Sequence, residues 1–243
     1  MAARISPATV NRELTTLSAA YSWARKDLFI ACDNPVKGIR RPPEPKARNR
    51  RLLPDEERRL IEALKTSGEG TERARPRNAN LLPIVLIALE TAMRRGEILS
   101  LRWENVDLEA RVAHLPITKN GYARDVPLST RAVEILHARK IASHAADGRI
   151  FLASEPAIKQ AFERAVKSAR EAYVEECVRL GRCQDPRIMS DLHFHDLRHE
   201  ATSRLAEKLP NLIELASVTG HRDLRSLKRY YHPIASALAL KLQ

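Results

Sequence analysis

A proline-rich and strongly basic segment, IRRPPEPKARNRR at residues 39–51, constrains the fold of this 243-residue chain more than any other feature. Proline lacks a backbone N–H donor and disfavours helical backbone in the residue before it, so the segment cannot lie inside a helix or a central strand. It is predicted to be an extended connection between two folded parts. We therefore divide the chain into residues 1–38, a linker at 39–51 and a larger unit at 52–243.

The part before the linker is predicted to be a single long helix. Ser6-Pro7 is typical of a helix start, with a capping residue followed by proline in the first turn. Apolar residues then recur every three or four positions, which predicts an amphipathic helix from about residue 7 to residue 28. A lone helix cannot bury its apolar face. We expect this part to be the end of a larger helical domain or a helix that docks elsewhere.

The larger unit is predicted to be mainly α with one small antiparallel β-sheet, an α+β fold. Residues 111–128 contain two strand-like runs on either side of Asn120-Gly121, the dipeptide that most strongly indicates a β-hairpin. The remainder is mostly helical in pattern, with a loop expected at 66–80. Helix starts are predicted near Pro54, Leu81, Ser129 and Glu155, and the helix from Leu81 is expected to break between Met93 and Gly96.

The net charge of +12 and the isoelectric point near 10.0 predict a polyanionic partner. Double-stranded DNA is the first candidate and an anionic membrane surface the second. The longest apolar run, Leu81–Leu89, is too short to span a bilayer, and the N-terminus lacks the apolar core of a secretory signal. Cys32, Cys177 and Cys183 lack metal-like pairing and indicate reduced thiols in a cytoplasmic protein.

The linker is predicted to follow the DNA backbone. The chain is basic throughout and the linker lies between two folded parts, so a DNA contact is favoured over the alternative of a merely solvated connection. The residues predicted to bind DNA are Arg40, Arg41, Lys46, Arg48, Arg50 and Arg51.

A second cluster, near the C-terminus, has the residue types needed to cleave a phosphodiester. His195 and Arg198 are three residues apart, which places them on one face of a helix. They supply a proton carrier and a cationic fork that matches phosphate geometry. His221 follows Gly220, a plausible helix-ending glycine, and Tyr230 supplies an oxygen nucleophile.

Four segments in order and spacing resemble the tyrosine recombinase (phage integrase) family. They are TAMRRGEILSLRWENVDL at 91–108, ITKNGYARDVPL at 117–128, HDLRHEAT at 195–202 and TGHRDLRSLKRYYHP at 219–233. The resemblance runs from about residue 52 to residue 233. It implies the catalytic-domain fold of that family and a site-specific enzyme that cleaves and rejoins DNA without a metal or other cofactor.

The resemblance also implies a role for each matching residue. Tyr230 is the nucleophile, favoured over Tyr231 by its spacing from His221. Arg94 and Arg198 hold the scissile phosphate, His221 donates to a phosphoryl oxygen, and Glu97 orients the catalytic side chains. Lys119 at the hairpin tip is the acid for the 5′-oxygen, and His195 handles the proton of the tyrosine. His193 and His199 fall outside the matching positions and are expected to support or pack.

The chain departs from the family pattern at two places. Ala92 stands where the family commonly has glycine. Only the last part of the family's helical DNA-clamping domain is matched, by residues 6–26, so we expect residues 1–38 to be a remnant or fragment of that domain. By resemblance, the apolar tail after Tyr231 docks on a neighbouring protomer, in a homo-oligomer that is a tetramer on DNA.

These observations predict a cytoplasmic recombinase of a bacterium or phage, associated with the nucleoid and not with a membrane. Two alternatives remain open: a type IB topoisomerase-like enzyme that relaxes DNA without exchanging strands, and a DNA-binding accessory protein that is inactive because its N-terminal domain is incomplete.

Overall fold

A computed structural model describes residues 5–44, 48–66, 79–116, 123–142 and 147–231. The chain forms two compact units, at residues 1–48 and 49–243. Among the helices in these described ranges, none is long and apolar enough to cross a membrane.

The first unit is built on α1, Pro7–Asp27, as the sequence predicts. The side chain of Ser6 caps the helix by accepting from the backbone N–H of Thr9 at 3.2 Å. A short 3₁₀ helix, Pro35–Gly38, follows, and its N-cap Asn34 accepts from the N–H of Val36. Each start therefore follows the capping chemistry of its own residues.

Part of the expected linker belongs to this first unit. Arg41 donates through Nη1 to Thr15 Oγ1 at 2.8 Å, and Asn11 Nδ2 donates to the carbonyl of Pro42 at 3.0 Å. The chain after the 3₁₀ helix therefore runs back along α1. The apolar stripe of α1 is only partly covered: Leu14 and Tyr21 are half-buried, whereas Leu17 is 49% exposed within the chain.

The second unit is mainly helical with one small sheet, which confirms the predicted α+β class. Its helices are α2 (Glu56–Thr66), α3 (Leu81–Thr91), α4 (Arg95–Leu99), α5 (Thr130–Ala142), α6 (Glu155–Arg179), α7 (Phe194–Lys208) and α8 (Leu212–Thr219). Its strands are β1 (Val106–Asp107), β2 (Val112–Leu115) and β3 (Arg124–Pro127).

The core is centred on α3, whose sequence LLPIVLIALET is apolar on every face. A helix of this composition is stable only when it is surrounded. It packs against α2, α5 and α7, and Ile84, Val85 and Ile87 have no exposed surface. This buried helix fixes the positions of α7 and of the segment that follows its own C-terminus.

The sheet is antiparallel with the order β1-β2-β3. Leu115 pairs with Arg124 and Val112 with Pro127, so the predicted hairpin is present. Its tip, with Asn120-Gly121 and Lys119, lies outside the described residues. β1 was not predicted, because a strand of two residues has too few positions to give an alternating pattern.

The predicted break after α3 is present at residues 92–94. Ala92 ends α3 with φ of 53°, in the left-handed region that favours glycine. The departure noted in the sequence thus falls at a position with a left-handed backbone, where this chain holds an alanine in a conformation that favours glycine. Arg94 then takes an extended backbone and begins α4.

Buried carboxylates anchor the start of the second unit. Glu56, with no exposed surface, accepts from Arg50 at 2.5 Å and from the backbone N–H of Leu53 at 2.7 Å. Glu200 accepts from Arg51 Nε at 3.1 Å and is 5% exposed. Arg50 and Arg51, predicted to bind DNA, therefore also fix the chain to α2 and α7.

Candidate active site

Three candidate side chains lie on α7. His195 and Arg198 occupy the first two turns, as predicted, and His199 follows. His195 and His199 are four residues apart on the helix, so their rings meet edge to face with centroids 5.1 Å apart. Asp196 secures the start of the helix by accepting from the backbone N–H of His193 at 2.8 Å.

Arg198 is 5% exposed and ties two segments together. Its Nη1 donates to the carbonyl of Ala92, and its Nη2 donates to the carbonyl of Thr219 at 2.7 Å. Burial, then the positive charge of Arg94, lower the pKa of Arg198 to about 10. It remains a cation at pH 7. A guanidinium has five N–H donors, so these two bonds do not exhaust its capacity to bind an anion.

Glu97 is the carboxylate around which two arginines are arranged. Arg94 donates to it from the backbone N–H and from Nη1, each at 2.8 Å. Arg124 donates bidentately, at 3.0 Å to Oε1 and 2.7 Å to Oε2. Burial raises the pKa of Glu97, but the bonds from Arg124 and Arg94 outweigh it and lower the pKa to about 2. Glu97 therefore holds both arginines in place, as the orienting role requires.

Replacing Glu97 by alanine is expected to lower the free energy of unfolding by about 3 kcal/mol, because it removes one partner of a buried ion pair. The effect is measured by urea denaturation at pH 7. Glu97 has a lowered pKa, so its contribution is present above pH 4.5 and is lost as the pH falls towards 2.

Glu104 is the matched control, because it also pairs with an arginine at 2.8 Å but its side chain is 65% exposed. Glu104→Ala is expected to change the free energy of unfolding by less than about 1 kcal/mol. Equal losses in the two variants would refute the role given to Glu97.

Arg124 was missed by the sequence analysis. It is the first residue of β3, and its side chain is 9% exposed. Besides Glu97, it reaches α8 by donating from Nε to the carbonyl of Val218 at 3.3 Å. Arg124 lies in the hairpin segment that resembles the family, so its presence there could be read from the sequence. The sequence does not show, however, that an arginine on a strand pairs with a carboxylate on a distant helix.

Gly220 ends α8 with φ of 69°, as a helix-ending glycine does. A Cβ at this position would lie 2.8 Å from Arg124 Nη1. Gly181, which ends α6, has φ of 59° and open space around it. Gly181→Ala is expected to cost about 1 kcal/mol from the left-handed backbone alone.

Gly220→Ala is expected to cost about 1 kcal/mol more than Gly181→Ala, because it also displaces a buried arginine. Urea denaturation of the two variants measures the difference. Losses of the same size would mean that Arg124 is not held beside Gly220.

His221 follows Gly220 and faces the arginines. Its Nδ1 lies 2.7 Å from Thr219 Oγ1, and that hydroxyl lies 2.6 Å from the carbonyl of Leu215, to which it donates. The hydroxyl therefore accepts from Nδ1–H. Burial, then the charges of Arg198 and Arg94, lower the pKa of His221 to about 4. The imidazole is thus neutral at pH 7.

Tyr230 closes a 3₁₀ helix, Lys228–Tyr230, beside the buried side chain of Leu227. Its hydroxyl is hydrogen-bonded to Nδ1 of His199, and the two rings stack with centroids 5.9 Å apart. The ring of His221 lies 6.5 Å away. Burial raises the pKa of Tyr230, although Arg229 and Arg198 oppose the shift. His199, which was expected to support or pack, thus directly contacts the candidate nucleophile.

His195 does not have the contact that was expected of it. It lies beside His199, and partial burial, then the charges of His199 and Arg198, lower its pKa. Its side chain keeps substantial exposed surface, so solvent screens part of this effect. The predicted proton transfer from the tyrosine to His195 stays a prediction.

A cleft of about 470 Å³ opens at the side of this cluster that carries Arg94 and His195. It is lined by Arg94, His195 and Arg198 together with Glu97 and residues of α4. The structure thus brings together the predicted residues Arg94, Glu97, His195, Arg198, His221 and Tyr230. Lys119, Lys46 and the C-terminal tail lie outside the described residues. In the part of the chain that is described, no group of three His, Cys, Asp or Glu is arranged to hold a metal ion.

Comparison with known proteins gives matches over almost the whole chain. Residues 50–236 match the model of the Phage integrase family. The chain is 41% identical over 235 residues to a shufflon-specific DNA recombinase of Escherichia coli, covering 96% of this chain and 53% of that protein. It is 36% identical to a putative integrase/recombinase of Haemophilus influenzae, covering 94% of this chain and 57% of that protein. The chain thus spans about half the length of these curated relatives.

Solved structures share the fold. The Tn1549 transposon integrase in complex with transposon right end DNA superposes with a TM-score of 0.71 at 18% identity, over 98% of this chain and 79% of that one. A lambda integrase dimer bound to a core site gives a TM-score of 0.63 at 22% identity, over 93% of this chain and 59% of that one. At these identities the likeness concerns the fold alone.

Proposed function

Since the chain belongs to the phage integrase family of tyrosine recombinases, we propose that it cleaves and rejoins DNA strands at specific sites through a covalent bond to Tyr230. The phenolic oxygen attacks the scissile phosphorus, and the bond from phosphorus to the 5′-oxygen breaks. The products are a 3′-phosphotyrosyl link and a free 5′-hydroxyl. The 5′-hydroxyl of a partner strand reverses the step, so the ester bond is conserved and no nucleotide cofactor is consumed.

The cleft supplies positive charge for the phosphoryl group. Arg94, Arg124 and Arg198 surround a single carboxylate, Glu97, which leaves two positive charges uncompensated among them. Cations held in place before the reaction stabilise the charge that develops in the transition state. Arg94 and Arg198 line the cleft and are assigned to the phosphoryl oxygens.

His221 is assigned to a third contact with the phosphate. Its Nδ1 is committed to Thr219, so Nε2 is the atom left to meet a phosphoryl oxygen. A bound anion favours the cationic imidazole and thus raises its pKa. His221 would then donate from Nε2 as a charge-assisted hydrogen bond.

Lys119 is proposed as the acid that protonates the 5′-oxygen. It belongs to the hairpin whose strand β3 begins at Arg124. Arg124 bonds to Glu97, so the end of β3 nearest the tip lies against the cluster that holds Arg94. This contact anchors the strand that follows Lys119 to the site and so supports the role proposed for Lys119.

Double-stranded DNA is the proposed partner, and assembly on it as a tetramer through the C-terminal tail is part of the proposal. The relatives are named recombinases, and the Tn1549 and lambda integrases are described in complexes with DNA, the latter as a dimer. The net charge of +12 supports the same partner. The linker cations are proposed as backbone contacts, Arg50 and Arg51 in addition to their ion pairs.

The observation that carries the proposal is the convergence of three side chains: Arg198 from α7, Tyr230 from the last described 3₁₀ helix and His221 from the segment after α8.

The proposal is tested by incubating the protein with nicked duplexes of randomised sequence, in which cleavage near the nick releases a short strand and traps the intermediate. We expect an SDS-resistant, protease-sensitive adduct with the protein on the 3′-phosphate. No adduct, or protein on a 5′ end, would overturn the proposal.

A further inference from the structure

The hydroxyl of Tyr230 is hydrogen-bonded to His199, a residue of the HDLRHEAT segment that does not occupy one of its matching catalytic positions. The two rings are nearly parallel, with an interplanar angle of 29°. His195 lies against the edge of His199, at an angle of 89° between the rings. The three rings thus follow one another in the order Tyr230, His199, His195, and His195 lines the cleft.

The nucleophile needs a proton acceptor in this place. Burial raises the pKa of Tyr230, so the phenol holds its proton at neutral pH. A neutral phenol is a weak nucleophile until an adjacent base takes that proton. The base must lie within hydrogen-bond reach of it, and His199 satisfies this condition in the absence of DNA.

We propose that His199 accepts the proton of Tyr230 as the phenolic oxygen attacks, an assignment that rests on the proposed function. The bond from oxygen to phosphorus forms while the O–H bond of Tyr230 breaks, and its proton moves to Nδ1 of His199. The bond from phosphorus to the 5′-oxygen breaks, and the predicted acid Lys119 protonates that oxygen. In the resealing step His199 returns the proton to Tyr230.

His195 then acts through His199. Two imidazoles with centroids 5.1 Å apart disfavour a second positive charge, so His195 stays neutral when His199 is charged. His195 is therefore assigned as a positioning residue that orients His199 and faces the cleft.

The decisive variants separate proton acceptance from hydrogen bonding. Asparagine at position 199 places an acceptor oxygen near the position of Nδ1 but cannot take the proton. Both His199→Asn and His199→Ala are therefore expected to form the adduct about 100-fold more slowly than the wild type. Added imidazole is expected to restore part of the rate to His199→Ala. His137→Asn, on α5, is the control and is expected to react at the wild-type rate.

A nicked duplex with sulfur in place of the 5′-bridging oxygen shows whether a variant has lost the base for the tyrosine or the acid for the leaving group. A thiolate leaves without protonation, so this substrate relieves the loss of an acid but not the loss of a base. We expect it to rescue Lys119→Ala and to leave His199→Ala slow. Rescue of His199→Ala to the wild-type rate would overturn the assignment.

The remaining outcomes are also decisive. A wild-type rate in His199→Ala, or in His199→Asn, would overturn the proton transfer while leaving the proposed function intact. Failure of the wild-type protein to form any adduct would overturn the function and this assignment with it.

Nitrogen NMR of histidine-labelled protein tests the contact without DNA: the Nδ1 signal of His199 is expected to shift in Tyr230→Phe, and an unchanged signal would contradict the hydrogen bond. Thermal unfolding of each variant identifies any that fails to fold.

Discussion

Tyr230→Phe is expected to reduce covalent adduct formation on nicked duplexes by about 10⁴-fold or more, the scale of losing a nucleophile. The phenyl ring keeps the packing beside Leu227 and loses only the hydroxyl and its bond to His199. Loss of one hydrogen bond is expected to lower the free energy of unfolding by only about 1 kcal/mol. DNA binding in a gel-shift assay should stay at the wild-type level, since the hydroxyl carries no charge at neutral pH.

Tyr231→Phe is the matched control, because it makes the same chemical change one residue away. It is expected to form the adduct at the wild-type rate. An adduct that survives in Tyr230→Phe and disappears in Tyr231→Phe would show that the neighbouring tyrosine is the nucleophile.

Arg198→Lys is expected to slow adduct formation by about 10²–10³-fold while retaining the charge. Lysine is a point charge and cannot reproduce the planar fork that bonds the carbonyls of Ala92 and Thr219. The proposed contact with the phosphate and the connection between the α3–α4 break and the end of α8 are then both lost. Single-turnover rates at saturating DNA measure the effect separately from affinity.

Arg204→Lys is the comparison variant, because Arg204 lies on the same helix and pairs with Glu57 and Glu200 away from the cleft. We expect its single-turnover rate to be within a few-fold of the wild type. If Arg198→Lys reacted as fast as Arg204→Lys, the charge alone would suffice and the fork geometry would be irrelevant.

Local patterns in the sequence predicted the fold well where the structure of an element depends only on its own residues. Ser6-Pro7 predicted the start of α1, Asn120-Gly121 the hairpin, and Gly220 the end of α8. These features depend on backbone preferences of a few neighbouring residues. The strand β1 is too short to show a pattern, and the return of the chain along α1 depends on contacts between residues about 30 positions apart, for which the sequence carries no local preference.

The candidate site was predicted less completely, for the same reason. Seven residues were identified through the family resemblance, but Arg124 and His199 were not. Arg124 is 27 residues from Glu97 and His199 is 31 residues from Tyr230, so neither pairing is visible as a spacing. His195 and His199 share a helical face, and only the fold decides which of them meets the phenol.

The position of the covalent bond tests the central claim most directly. Adduct formed by the wild-type protein on a nicked duplex is digested with nuclease and trypsin, and the modified peptide is sequenced by mass spectrometry. The account predicts a nucleotide joined through its 3′-phosphate to the oxygen of Tyr230. A nucleotide on Tyr231 or on any other residue, or one joined through a 5′-phosphate, would contradict it.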